Sequence, residues 1–431
     1  MSSELSHRIL NKLSGISSYA TNEQCIFKVH DRLRSNNKEA YEPKFLSIGP
    51  YHHGKSNLEK MEMHKLRYLQ ELLARRGETN PDRYIIALTE LEDRAQKCYA
   101  EDISPISNDD FVKMMFLDGC FVIEFLRKLF DRKLRNTDDT IFQMDWLHNW
   151  IVPDLILFEN QVPFFILDQL FDMTKLPGQE ENLKHLVFHL GKALIYDSRP
   201  IFSYPEISAA DTVIHLLDLV HKSVCSSFAK ILTETNDRPV NDFSLDLIRP
   251  TSELNLSGIH FEAAASQNQS WLDITFKDGK IKIPKLEIMD WTECVFRNLI
   301  AYEQYMLNGQ SWRCVSDYTM FLDLLTDSPK DVEKLRLCHI IRNWLGDDEA
   351  VSTMFNKLGN GVGINVSKFC YSRVFKDVND FSIKRRNIWR AYLMKNYFNT
   401  PWSIISFLAA LLLLILSVVQ TIFSILQYTN Q

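Results

Sequence analysis

Hydrophobic residues recur along most of the chain at the three- and four-residue spacing of an amphipathic α-helix. From Glu23 to Arg34, this spacing places Cys25, Ile26, Val29 and Leu33 on one face of a predicted helix. The same pattern predicts further helices at 57–76, 81–99, 109–132, 180–194, 208–232, 252–256, 290–306, 314–325, 329–344, 347–358 and 383–398. The fold is therefore expected to be mainly α, with a multi-helix globular body.

Residues that favour helix ends mark several of these boundaries. Ser56 and Glu59 have the spacing of a capping box, which predicts that a helix opens directly after Ser56. Gly77 is expected to end this helix, because glycine adopts the left-handed conformation common after a helix. Asn80 before Pro81 is typical of the next helix start, with asparagine as the cap.

The apolar stretch 146–171 is predicted to form two short helices buried in protein rather than a membrane span. Acidic residues interrupt it at Asp154, Glu159 and Asp168. An aspartate at the centre of a membrane costs about 2.5–3.5 kcal/mol, which argues against insertion. Pro153 and Pro163 also divide the stretch into short pieces.

One region changes from helical to alternating periodicity. Residues 271–284 alternate apolar and polar positions around Asp278 and Gly279, the pair preferred at the centre of a tight hairpin turn. One small β-hairpin is therefore predicted. The expected organisation is a flexible N-terminus at 1–22, a helical subdomain at 23–235, a linker at 236–250, a second helical subdomain at 251–383, a basic amphipathic juxtamembrane helix at 384–401 and a transmembrane helix at 402–426.

The segment from Trp402 to Leu426 contains no charged residue. As a helix it would be about 37 Å long, enough to cross a hydrocarbon layer of about 30 Å with some tilt. No polar face interrupts it, which disfavours a buried core helix. A single-pass C-terminal membrane anchor is predicted. Its expected lipid-facing positions are Trp402, Phe407, Leu411, Leu414, Val418, Ile422 and Leu426.

Flanking charge predicts the orientation of this anchor. The basic residues before the span are Lys384, Arg385, Arg386, Arg390 and Lys395, and no lysine or arginine follows it. The positive-inside rule then places the body in the cytosol, at the plasma membrane or an endomembrane, and the N-terminus shows no secretory signal pattern. The opposite topology would expose glycosylation sequons at Asn255, Asn268 and Asn365.

The net charge and the cysteine spacing disfavour several classes of partner and site. A net charge of −6 provides no basic field for phosphates, so no nucleic-acid partner is expected. The eight cysteines contain no Cys-x-x-Cys pair, which disfavours a zinc ribbon or a thioredoxin-like site. They are interpreted as mostly reduced, and no cofactor or metal is expected.

Three histidines raise the question of a metal site. His52 and His53 are adjacent and would point apart in an extended loop, whereas His64 lies on a predicted helix. This spacing matches known zinc sites poorly. A structured loop with Tyr51, His52 and His53 packed against the helical body and bonded to backbone is the preferred interpretation.

A catalytic constellation cannot be assembled from the sequence. Gly359, Gly361 and Gly363 follow a predicted helix and lack the Lys-Ser/Thr pair of a phosphate loop. Asp154 and Glu159 could act as paired carboxylates, but in apolar surroundings a structural role at backbone N–H groups is more common. An enzyme with an unrecognised helical active site remains the alternative to a binding module. A transport role ranks third, because one span cannot form a pore without oligomerising.

Several stretches together resemble the plant Domain of Unknown Function 247 family, of the UPF0481 type. They are "IFKVHDRLR", "YEPKFLSIGPYHHG", "MEMHKLRYL", "FLDGCFVIEFLR", "DLILFENQVPFFILDQLF", "ELNLSGIHF", "WLDITFKDGKIKIPKLEI" and the apolar C-terminal segment, in order from Ile26 to Leu426. The resemblance implies a helix-rich fold with a C-terminal membrane segment and no established activity or cofactor.

Some grass members of that family are implicated in pollen self-incompatibility, which suggests recognition rather than catalysis. The resemblance therefore favours a membrane-anchored protein-interaction or signalling module with an unidentified protein partner and an undefined oligomeric state. Motif residues expected to be structural are Pro50, Tyr51, His52, His53, Gly54, Glu159, Asn160, Gln161 and Pro163.

Overall fold

A computed structural model describes most of the chain. The described residues are 5–7, 9–10, 24–176, 180–194, 212–235, 247–264, 270–307, 311–384, 389, 392–393 and 401–429. This part of the protein is mainly α-helical with a few short strands, as the sequence predicted.

The described elements follow one another in this order. The α-helices are α1 Asp31–Arg34, α2 Lys60–Arg76, α3 Asp82–Thr89, α4 Glu92–Lys97, α5 Asn108–Phe130, α6 Thr140–Gln143, α7 Asp145–Asp154, α8 Phe164–Thr174, α9 Leu183–Leu194, α10 Leu216–Thr235, α11 Thr251–Leu256, α12 Thr292–Met306, α13 Cys314–Leu325, α14 Pro329–Leu337, α15 Asp348–Leu358, α16 Ser372–Ile383 and α17 Pro401–Thr429. Short 3₁₀ turns lie at Lys38–Tyr41, Pro50–His52, Arg132–Leu134 and Val366–Lys368. The strands are β1 His260–Ala263, β2 Thr275–Lys277, β3 Lys280–Ile283, β4 Leu286–Ile288 and β5 Ile341–Asn343.

Helix α5 is the central element of the N-terminal half. Ser107 caps it, its hydroxyl accepting a hydrogen bond from the Asp110 N–H at 3.2 Å. Helices α2, α3, α8 and α9 pack around it. The approach of α8 is close, because a Cβ atom built at Gly119 would lie 2.5 Å from Leu170 Cδ1. Glycine at this position therefore allows the two helices to meet.

The C-terminal half packs onto the same hydrophobic core. Helices α12, α13 and α15 contact one another, and α10 contacts both α12 and α13. Buried side chains form one continuous cluster from Cys25 to Val378. The segments before and after residue 250 therefore share packing contacts across the described core.

The predicted hairpin is present. Strands β2 and β3 pair antiparallel, and Asp278 and Gly279 between them have positive φ angles of 52° and 78°. A two-residue turn of this kind requires left-handed backbone at both positions, which Asp-Gly tolerates. Two features were not predicted: β1 adds in parallel to β3, and β4 pairs in parallel with β5.

The helix predicted at 23–34 was wrong for most of its length. Only Asp31–Arg34 is helical. The N–H groups of Cys25 and Ile26 both donate to the carbonyl of Cys98, at 2.9 and 3.0 Å, so the chain before α1 is extended. Bonding to a distant segment overrides the local helical pattern.

Three other helix boundaries differ from the prediction. The capping box at Ser56 is absent, because α2 begins at Lys60 and its N-cap residue, Glu59, makes no side-chain capping bond. The helix predicted at 81–99 divides into α3 and α4. The helix predicted at 329–344 ends at Leu337, and the chain turns at His339 to supply β5.

Several predictions lie largely or wholly outside the described residues. These are the flexible N-terminus 1–22, the start of the helix at 208–232, the linker 236–250 and the juxtamembrane helix 384–401. The two apolar pieces at 146–171 do form buried helices, α7 and α8. Helix α17 contains the one span in the described residues, Trp402–Leu426, that is long and apolar enough to cross a membrane, and it is not buried against the body.

Candidate functional site

Four polar residues at the end of α7 and in the turn before α8 are buried in the core. We call Asp154, Glu159, Asn160 and Gln161 the α7–α8 cluster. All four are at most 3% exposed. Pro163, also buried, follows the turn and directly precedes α8, whose first N–H, that of Phe164, donates to Ile214 O at 2.8 Å. The cluster is therefore held between two helices deep in the protein.

The Asp154 carboxylate binds the 44–49 segment, which forms neither helix nor strand. It accepts the backbone N–H groups of Lys44, Phe45 and Leu46 at 3.0, 2.8 and 2.9 Å. Burial raises the pKa of this carboxyl group to about 6 against the opposing effect of those bonds. One side chain thus bonds three successive N–H groups of a segment that forms neither helix nor strand.

Asn160 continues this pairing along the same segment. Its Oδ1 accepts the Ile48 N–H at 2.7 Å, and its Nδ2 donates to the carbonyls of Leu46 and Asp154 at 2.9 and 2.8 Å. The amide therefore satisfies both a donor and an acceptor of the 44–49 segment. An aspartate or a leucine of similar size could not do both.

Gln161 connects the turn to α10. Its Nε2 donates to the carbonyls of Leu155 and Leu157 at 2.9 and 2.8 Å, and its Oε1 accepts the Leu217 N–H at 3.1 Å. Its backbone carbonyl accepts the Tyr99 hydroxyl at 3.0 Å. Three separate parts of the chain meet at this one residue.

Glu159 faces the extended residues before α1. It accepts the Val29 N–H at 2.6 Å and the Arg34 guanidinium at 2.7 Å. The guanidinium also contacts Glu42, which is itself paired with Lys55. Asp154 and Glu159 therefore bind different backbone segments and do not converge as an acid–base pair.

A buried ion pair extends the network to α2 and α5. The Lys65 ammonium, which is fully buried, lies 2.5 Å from Asp118 Oδ1 and donates to the Ser47 carbonyl at 2.7 Å. Asp118 Oδ2 accepts the Gly49 N–H at 2.8 Å. Separating these charges would leave one of them unpaired in the core, which typically costs about 3–5 kcal/mol.

The motif from Pro50 to Gly54 lies against this network but divides between core and surface. Pro50 is buried, and Tyr51 is half-buried with its hydroxyl bonded to Glu101 and to the Ile26 carbonyl. His52 is 2% exposed, whereas His53 and Gly54 are exposed. The loop is therefore anchored through its first three residues.

His52 has no hydrogen bond to any group that the structure describes, contrary to the expected bonds to backbone. Its Nδ1 lies 3.6 Å from Glu42 Oε2, and its Nε2 lies 3.6 Å from Glu159 Oε2. His64 lies on α2, so the three histidines do not converge on a metal. Burial, assisted by the positive charge of Lys55, lowers the pKa of His52 to about 4, although Glu42 acts to raise it.

A second polar cluster was missed by the sequence analysis. His221 and Cys225 on α10 and Glu303 on α12 are buried, and a potential ligand atom of each lies within 4.8 Å of the others. His and Cys four residues apart on a helix were visible in "HKSVC". Glu303, which is 82 residues from His221, could not be connected to them from sequence alone.

The close approach at Gly49 gives a stability prediction. Gly49 and Gly54 have similar φ angles of 73° and 75°, but a Cβ at Gly49 would lie 2.5 Å from the Gln161 carbonyl oxygen, and one at Gly54 meets nothing within 4 Å. We expect Gly54→Ala to lower the free energy of unfolding by about 1 kcal/mol through backbone strain. Gly49→Ala should lower the free energy of unfolding by about 3 kcal/mol or more, because the 44–49 segment must move away from the α7–α8 cluster. Denaturant unfolding of the two full-length variants measures the difference, and equal losses would contradict the packing described.

The lowered pKa of His52 gives a pH prediction. The unfolded chain binds a proton near pH 6.5, but the folded site does not until about pH 4, so stability is full above 6.5 and falls as the pH falls towards 4. Between pH 7 and 5.5, the wild type should lose about 1 kcal/mol more than His52→Gln. His215, whose pKa burial also lowers to about 4, is present in both proteins and cancels in the comparison. Parallel pH profiles of unfolding free energy would show that His52 protonates normally in the folded protein.

Comparison with known proteins places these features in a family. Residues 26–416 match the sequence profile DUF247, described as plant protein of unknown function. A UPF0481 protein of Arabidopsis thaliana is 31% identical over 423 residues, covering 94% of this chain and 87% of the relative. A putative UPF0481 protein of the same plant is 24% identical over 478 residues, covering 91% of this chain and 88% of the relative.

No solved structure matches the chain. The family profile begins at the extended segment before α1 and continues into the apolar span of α17, so it includes both the α7–α8 cluster and the loop bound to it. The chain belongs to the DUF247 family of plant proteins of unknown function.

Proposed function

We propose that this protein is a non-catalytic interaction module that α17 holds at a membrane, with its globular body in the cytosol. The observation that carries the proposal is the apolar span Trp402–Leu426, which is 25 residues long and is not buried inside the protein. Exposed apolar patches on soluble monomers rarely exceed a few hundred Å². A bare helix of this length exceeds that area, and a lipid bilayer is the environment that matches its length and composition.

Charge and cysteine chemistry support the cytosolic side. Five basic residues lie between 384 and 395, directly before the span, and none follows it. No disulfide joins any of the eight cysteines, and the sulfur atoms of Cys314 and Cys370 are 3.8 Å apart. Reduced thiols at that distance are typical of a reducing compartment.

The distribution of polar groups supports binding rather than catalysis. The most buried carboxylates of the α7–α8 cluster are occupied by backbone N–H groups. A surface depression beside α2 is lined by His64, Arg67 and Glu71, but there Arg67 is already paired with Glu71. Large apolar side chains, such as Trp146 and Trp344, are more than half exposed on the body. Exposed aromatic side chains are common anchors of protein interfaces.

The membrane proposal predicts the effect of charge in α17. Replacing Leu413 and Leu414 by arginine adds two central charges, each costing about 2.5–3.5 kcal/mol in a membrane helix. The double arginine variant should leave the membrane pellet on alkaline extraction of plant-cell membranes. The matched Leu413→Phe/Leu414→Phe variant should remain in the pellet with the wild type. Release of all three proteins would contradict an integral anchor.

The same membrane preparations test which side of the membrane the body faces and whether the protein binds a partner. Protease added from the cytosolic side should digest the body, with Asn255 and Asn365 unglycosylated. In mild detergent, the wild type should migrate with a bound protein partner, heavier than one 50.4 kDa chain. A protected, glycosylated body would overturn the orientation, and a detergent-bound single chain would count against the interaction role.

A further inference from the structure

Side chains of three types that bind transition metals converge where α10, α12 and α13 meet. His221 and Cys225 lie four residues apart on α10, so both project from the same helical face. Glu303 reaches them from α12 and is fully buried. None of the three takes part in the α7–α8 cluster or in the proposed anchor.

The distances are close to those around a tetrahedral zinc ion. Cys225 Sγ lies 3.5 Å from His221 Nε2. Zinc bonds of about 2.3 Å to sulfur and 2.0–2.1 Å to nitrogen at a tetrahedral angle also separate these atoms by about 3.5 Å. His221 Nε2 lies 2.9 Å from Glu303 Oε1, a hydrogen-bond distance. A zinc ion in place of that proton would need this pair to separate by only about 0.4 Å.

Cys314 at the start of α13 lies beside this cluster. Its sulfur is 3.8 Å from Cys370 Sγ. It is not among the residues whose ligand atoms all lie within 4.8 Å of one another, so the site has three protein ligands.

Glu303 is already aligned by other bonds. It accepts the N–H groups of Val315 and Ser316 at 2.9 and 2.7 Å and the Ser316 hydroxyl at 2.6 Å. The two Ser316 donors bind Oε2, and Oε1 accepts the Val315 N–H while also facing His221, so the carboxylate is held in place at the N-terminus of α13. Second bonds of this kind orient the ligands of metal sites.

We propose that His221, Cys225 and Glu303 bind one Zn²⁺ ion. A mixture of thiolate, imidazole and carboxylate ligands favours zinc over magnesium or calcium, which prefer oxygen ligands alone. Three protein ligands would connect α10 to α12 and leave one coordination position for a water molecule. On binding, the thiol proton of Cys225 passes to solvent, and the imidazole proton moves from Nε2 to Nδ1.

Metal analysis of the full-length protein tests this proposal. Purified wild-type chain in detergent, incubated with Zn²⁺ and freed of loosely bound metal, should contain about one zinc per chain by elemental mass spectrometry. Cys225→Ser and His221→Gln should each reduce this content at least fivefold. Cys338→Ser removes a half-buried thiol outside the cluster and should leave the zinc content unchanged.

A second measurement covers variants that fail to fold. Co²⁺ added to metal-free wild-type protein should give the intense visible bands of a tetrahedral site and a thiolate-to-cobalt charge-transfer band, both removed by excess Zn²⁺. These bands should be absent from Cys225→Ser. Wild type without bound zinc and without the cobalt bands would overturn the proposal, and so would equal zinc contents in wild type and Cys225→Ser.

Discussion

The fold depends on side chains that bond the backbone of a non-helical segment. Residues 44–49 form neither helix nor strand, and residues 46–49 are buried in the helical core. Each buried backbone group left unbonded would cost about 1–3 kcal/mol. Asp154 and Asn160 provide those bonds, with five contacts between 2.7 and 3.0 Å to the backbone of Lys44, Phe45, Leu46 and Ile48.

The other large contacts of the N-terminal half follow from this pairing. In the same segment, Ser47 and Gly49 bond to the Lys65–Asp118 pair, which joins α2 to α5. Gln161 carries the connection to the start of α10, and Glu159 carries it to the residues before α1. A polar network with this many buried hydrogen bonds stabilises one arrangement of helices over others.

Local patterns explain which parts of the fold could be predicted. Helix α5 and the β2–β3 hairpin were predicted because their hydrophobic spacing and the Asp-Gly turn act over a few residues. The conformations of residues 24–30 and of β5 could not be predicted, because each depends on bonds to a segment far away in sequence. Cys25 and Ile26 bond to Cys98, and β5 pairs with β4. The same limit applies to the site. The motifs around His52 and Glu159 were visible, but nothing local shows that Asn160 bonds to Ile48, which is 112 residues away.

Amide hydrogen exchange of the full-length chain in detergent tests the central claim most directly. If Asp154 and Asn160 hold the 44–49 segment, the amides of Phe45, Leu46 and Ile48 exchange only when the core opens. Their exchange should then be as slow as that of the buried middle of α5. Exchange as fast as that of the exposed loop at 53–57 would show that the segment opens independently, and that the α7–α8 cluster does not hold the fold together.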